Sequence, residues 1–177
     1  MNMGLDMYIY RIRKFEDATL RDVFAVDAWL DLQRYKKEHP GYKCTMKKWC
    51  GMEKPAKKII DFYRNCSPIY EEIAYWRKEN AIHKWFVKNV QDGEDDCGVH
   101  RPLTKDDIKN LRRLCIDVLE SPEDAQKILP TEGGFFFGNT VYNEWYFNGI
   151  KDTIGQLNYI LENVDFDTEA IFYVSSW

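Results

Sequence analysis

The side chains best equipped for chemistry in this 177-residue chain fall in one short string: Trp76, Arg77, Asn80 and His83. Ser67 with Pro68 behind it resembles a helix start, and Glu71 and Glu72 suit the positive end of a helix dipole. The string therefore reads as part of a helix over 67–90, with Ile69, Ile73, Trp76, Asn80, His83, Val87 and Val90 sharing a face at steps of three or four. Two polar side chains then interrupt an apolar stripe. A buried carboxamide or imidazole without a hydrogen-bond partner costs about 1–3 kcal/mol, so Asn80 and His83 must be satisfied. A structural bond to a neighbouring loop or to the terminal strands is the weightier explanation. The sharper one is a pocket, in which Arg77 and Lys84 add an anion clamp and the imidazole serves as the group that changes charge near neutrality.

Other chemistry is thinner. Phe136 lies in the glycine-flanked run 133–138, which leads towards Tyr142 and Glu144. Three Phe side chains bury well as a strand. The alternative is that they present aromatic faces and amide donors to a planar or anionic ligand. Asp95, Asp96 and Glu144 are the acids that proton transfer with His83 would require. His39, Cys44 and Cys50 offer three zinc-type donors with no clear fourth. The chain carries no phosphate-binding loop, GxGxxG, GxSxG or HExxH pattern, so neither a metal nor a cofactor is expected.

The elements that must position these residues are legible in outline. Residues 5–12 alternate as a strand, with Leu5, Met7 and Ile9 on one face, and 170–177 form a second aromatic strand. An isolated strand leaves its backbone groups unpaired, so the two terminal strands are expected to pair with each other, with a third edge near 135–138. Helices are predicted over 18–37, 67–90 and 141–163, and another behind the Thr104–Asp107 capping box. A short helix falls around 56–63, an acidic turn at 92–96, and a short helix after Ser121-Pro122. The predicted fold is α+β: one mostly helical domain spanning 1–177 with a small antiparallel sheet, and a variable basic insertion over 41–66.

Six Trp and eleven Tyr are an unusual share of aromatic side chains, suited equally to cores and to binding surfaces. The net charge of −4 hides an asymmetry, because ten Lys or Arg face three acids between Arg34 and Arg64, whereas one Lys faces six acids from Val141 onward. Basic runs are most often solvated faces, so nucleic acid ranks last among the expected partners. Five irregularly spaced Cys read as reduced thiols in the cytoplasm, and no apolar run is long enough to cross a membrane.

The opening GLDMYIY, the string YWRKENAIHKWF at 75–86, DDC at 95–97, LPTEGGFFFG at 129–138 followed by YNEWY, and the terminal SSW resemble a family of uncharacterised bacterial and phage-borne proteins. Members typically open with GLDMYLY and carry a WRKANAIHKWF-like helix. The resemblance spans nearly the whole chain, departs mainly in the basic 41–66 region, and implies phage or prophage origin without naming an activity. The leading expectation is a non-catalytic binding protein of phage or mobile-element type that captures a host protein or a small anionic ligand, with a counter-defence role. Its ligand-binding residues are Trp76, Arg77, Asn80, His83, Phe136, Tyr142 and Glu144. The alternative is a small hydrolase or nucleotide-processing enzyme that uses His83 with an acid.

Overall fold

The terminal strands do pair, and the pairing organises the fold. In the computed structural model, which describes residues 4–177, β1 (Asp6–Arg13) and β4 (Glu169–Ser176) lie side by side at the centre of a four-stranded antiparallel sheet of order β2-β1-β4-β3. β2 is Glu71–Arg77 and β3 is the short Arg101–Leu103, whose Arg101 and Leu103 pair with Tyr173 and Ile171. The helices are α1 (Leu20–Glu38), α2 (Met46–Cys50), α3 (Lys57–Tyr63), α4 (Asn80–Asn89), α5 (Lys105–Glu120), α6 (Ala125–Ile128) and α7 (Glu144–Asn163). The α+β expectation holds, and a single 3-10 turn at Pro122–Asp124 precedes α6.

Caps fix several boundaries. The Thr104 hydroxyl accepts from the Asp107 amide while the Asp107 carboxylate accepts from Thr104, closing the box that starts α5, and Thr19 with Asp22 does the same for α1. Asn143 starts α7, its side-chain oxygen accepting from the amides of Trp145 and Tyr146.

Two expectations are corrected. The segment 67–90 is not one helix: β2 occupies its first half, and α4 begins only at Asn80. The Ile73 and Trp76 spacing suited a helix, but β1 offers this segment an unpaired edge, and the Lys78 amide closes the pairing by donating to the Leu5 carbonyl at 2.8 Å. Between strand and helix, Lys78 takes φ +59°, the left-handed conformation that breaks both. The run 135–138 is likewise a turn rather than a strand, with Phe135 92% exposed.

The described residues divide into two compact units, one of residues 4–11 and 72–177, the other of residues 12–71. In the first, α5 and α7 pack closely, and Ile108, Leu111, Cys115, Ile150, Leu157 and Ile160 are fully or nearly fully buried in a core shared with Leu5, Met7 and Ile9 of the sheet. In the second, α1 supports α2 and α3 around buried Leu20, Val23, Val26, Leu32, Ile60 and Tyr63. The basic residues of 41–66 belong to this second unit. Among the described residues, no helix is long and apolar enough to cross a membrane.

Candidate functional site

Asn80 opens α4 and is 4% exposed, with every polar group of its amide engaged. Its Nδ2 donates to the carbonyls of Phe137 at 3.0 Å and Asn139 at 2.8 Å, and its Oδ1 accepts from the Glu132 amide at 3.2 Å. One side chain thus staples the loop 132–139 to the start of α4. Tyr142 fixes the same loop, its hydroxyl accepting from the Thr131 amide at 3.1 Å.

His83, one helical turn on, is 1% exposed. Its Nε2 lies 3.1 Å from Asp95 Oδ2 and its Nδ1 2.8 Å from the Tyr173 hydroxyl. A carboxylate only accepts, so Nε2 carries the proton towards Asp95, and in that tautomer Tyr173 donates to Nδ1. Burial pushes the Tyr173 phenol well above its ordinary range and so keeps it a donor. The second oxygen of Asp95 accepts from the indole of Trp177 at 3.3 Å, and that indole packs against Phe136 and Phe137. His83, Asp95, Tyr173 and Trp177 therefore tie α4, the acidic turn and the terminal strand with the chain after it into one network, buried at His83 and Tyr173 and open to solvent at Asp95 and Trp177. Asp96 turns elsewhere, accepting from Gln91 and pairing with Arg101.

The open ground lies beside this network. A cleft of about 290 Å³ is bounded by Arg77 and Lys78 at the end of β2, by Glu79 and Asn80 at the start of α4, by Gly138, Asn139 and Val141 of the loop, and by Asn143, Trp145 and Tyr146 at the start of α7. Two helix N-termini converge here. No side chain caps α4, whereas Asn143 caps α7. Arg77 is held by Asp6 through contacts of 3.0 and 3.2 Å, while the exposed Lys78 ammonium has no acidic partner among the described residues. Gly138, at φ +89°, passes so close to Lys78 that a Cβ there would lie 3.2 Å from the lysine Cβ. Trp145 stands 83% exposed at the rim.

Glu79 is the unusual member. Its carboxylate presses into a notch on α7 where residue 149 has no side chain, and a Cβ on Gly149 would sit 2.3 Å from Oε2. Burial, reinforced by the negative charge of Asp152, pushes its carboxyl up to about 7. The cleft thus offers the Lys78 ammonium, the start of α4 that no side chain caps, an exposed indole and an acid that changes charge near neutrality.

The structure sorts the residues singled out from the sequence into different surroundings. Arg77 and Asn80 line the cleft. His83 is sealed, and Trp76 is 3% exposed, donating from its indole to Thr153 at 2.9 Å. Phe136 is half-buried against Trp177, and Glu144 is the exposed first residue of α7, outside the cleft lining. Sequence reasoning missed Lys78, Glu79, Asn139, Asn143 and Trp145. Lys78 and Glu79 sit between the two residues it chose, and they were hidden by the assumption of a continuous helix. Among the described residues no group of three or more His, Cys, Asp or Glu side chains gathers to hold a metal ion. No protein-family model, no curated protein and no solved structure matches the chain.

Proposed function

We propose that the chain is a non-catalytic binding protein whose cleft captures a small anionic ligand with a planar part, a nucleotide being the model case. The observation that carries this reading is that Lys78, without an acidic partner among the described residues, and the exposed Trp145 line one cleft with the uncapped start of α4. The cations and amides take the anion, the indole takes the plane, and the Asn80 staple keeps the cleft formed before ligand arrives. The phage or mobile-element setting, the cytoplasmic location and a counter-defence role rest on the family resemblance and belong to the same proposal. Capture of a host protein is its rival.

Mass spectrometry of small molecules released from denatured protein, followed by calorimetry with nucleoside mono-, di- and triphosphates, tests the proposal. A bound or titrating anion whose affinity falls about tenfold in Lys78→Ala supports it. A clean preparation that no member of the panel stabilises overturns it.

A catalytic reading has one observation in its favour, and it moves the role from His83 to Glu79. A carboxyl raised to about 7 in a residue of the cleft wall would suit a general acid or base of a small hydrolase or nucleotide-processing enzyme. Product formation that is lost in Glu79→Gln while ligand binding persists would establish it. Binding without turnover in the unaltered protein leaves the first reading standing.

A further inference from the structure

The unit formed by residues 12–71 carries a surface that the cleft does not explain. At the end of α1, Tyr35 stacks on His39 with ring centroids 4.0 Å apart, and it meets Tyr42 at 4.9 Å and Trp49 at 5.3 Å. These rings do not close over a core: His39 is exposed and Tyr42 is 41% exposed.

The cations of the 34–64 segment belong to the same unit, and Lys36, Lys43 and Lys48 each directly follow or precede a ring of this cluster in sequence. Arg34, Lys47, Lys58 and Arg64 each have an acid within ion-pair distance. Lys36, Lys37, Lys43, Lys48, Lys54 and Lys57 have none among the described residues, and Lys54 instead sits over the Trp29 ring at 5.7 Å. Lys36 and Lys37 complement the negative end of α1, which is reason enough for those two. Lys47 and Lys48 likewise fall in the last turn of α2, and Glu53 pairs Lys47. α3 opens with Lys57 and Lys58, has no acid in its first turn and no side-chain cap, so its dipole opposes their charge, and Glu16 pairs only Lys58. Among the described residues Lys43 and Lys57 have neither a dipole nor an acid to offset them. A polyanion would offset them.

We propose that this basic, ring-bearing surface binds single-stranded nucleic acid, its lysines meeting phosphates and Tyr42 taking a base on its open face. Open rings beside unpaired cations suit unstacked bases on a flexible backbone, whereas a duplex keeps its bases stacked and offers them nothing. The inference stands independently of the cleft, since it uses different residues of a different unit.

Fluorescence anisotropy of the full chain with a labelled 20-nucleotide single strand, repeated from about 50 to 300 mM salt, tests it. Neutralising about four phosphates gives an expected log–log slope near −3. Lys43→Gln/Lys48→Gln/Lys57→Gln, which alters only exposed side chains, should weaken binding by tenfold or more. Tyr42→Ala should weaken it several-fold without changing the slope, because it removes stacking rather than charge. Four results overturn the proposal: no anisotropy change, affinity that does not fall with salt, equal or tighter binding to the matching duplex, and affinity unchanged in the triple variant. Binding to anionic phosphatidylserine vesicles but not to the oligonucleotide also overturns it.

Discussion

One turn of α4 separates two sites built from the same kinds of side chain. At its start, Glu79 and Lys78 line an open cleft, whereas at His83 an imidazole and a phenol are locked together out of reach of solvent and tied to an acid that is only partly buried. His83 is the more suggestive residue by type, and its Asp95–His83–Tyr173 chain has the connectivity of a catalytic relay. What it lacks is access, because a relay that touches no substrate serves only to hold elements together. Glu79 is the less suggestive residue by type, yet it has both the opening and the altered proton affinity. Accessibility, more than residue identity, separates scaffold from site.

The comparison breaks first at His83. His83→Ala orphans the Tyr173 hydroxyl and the buried part of Asp95 and leaves a cavity, so chemical denaturation should show a loss of about 3–4 kcal/mol. A loss below about 1 kcal/mol would mean the network is not the strut described. Asn80→Ala leaves the Glu132 amide and the carbonyls of Phe137 and Asn139 without their partner, at an expected cost of about 2–3 kcal/mol. It should also loosen the cleft, read as faster amide exchange in 132–139.

On the open side the sign reverses. The Glu79 carboxyl titrates near 7 in the folded chain against an ordinary value of 4.5, so the folded state holds its proton more tightly than the unfolded state. The stability this provides is complete below about pH 4.5 and is lost as pH rises through about 7. Glu79→Gln removes the cost of ionising a buried acid, and at pH 8 it should stabilise the chain by about 2 kcal/mol, allowing for the carboxyl's partial exposure. Near pH 4 it should have little effect. Equal denaturation midpoints for the two proteins at both pH values would show that Glu79 is not buried as described. Lys78→Ala completes the series with a stability change within about 0.5 kcal/mol, since Lys78 has no acidic partner to lose. Its expected effect is confined to the affinity of the cleft for anions.

Much of this architecture is written locally. The Thr104–Asp107 box, the alternation from Leu5 to Ile9 and the aromatic β4 each carry their signal within a few residues, and each forms where its residues predict. Strand β2 does not, because Ile73 and Trp76 satisfy either a strand or a helix and the choice is made by β1, more than sixty residues away in sequence. The candidate site shares that fate. Arg77 and Asn80 stand out by type, but the role of Glu79 depends on the missing side chain at Gly149 and the charge of Asp152, neither of which neighbours it in sequence. Phe135, Phe136 and Phe137 misled in the opposite way, since their hydrophobicity suggested a strand although they form a turn that Gly138 leaves at positive φ.

The notch at Gly149 has an evolutionary corollary. Because a single methyl group there would occupy the space of the Glu79 carboxylate, positions 79 and 149 form a lock and its mould. Descendants of this chain that gained a side chain at 149 would have to surrender the acid at 79 or re-aim it, whereas those that kept the glycine remain free to keep the acid. A glycine at 149 should therefore accompany an acid at 79 more often than not, and a collection of natural variants would carry the imprint of the cleft at a residue outside its lining.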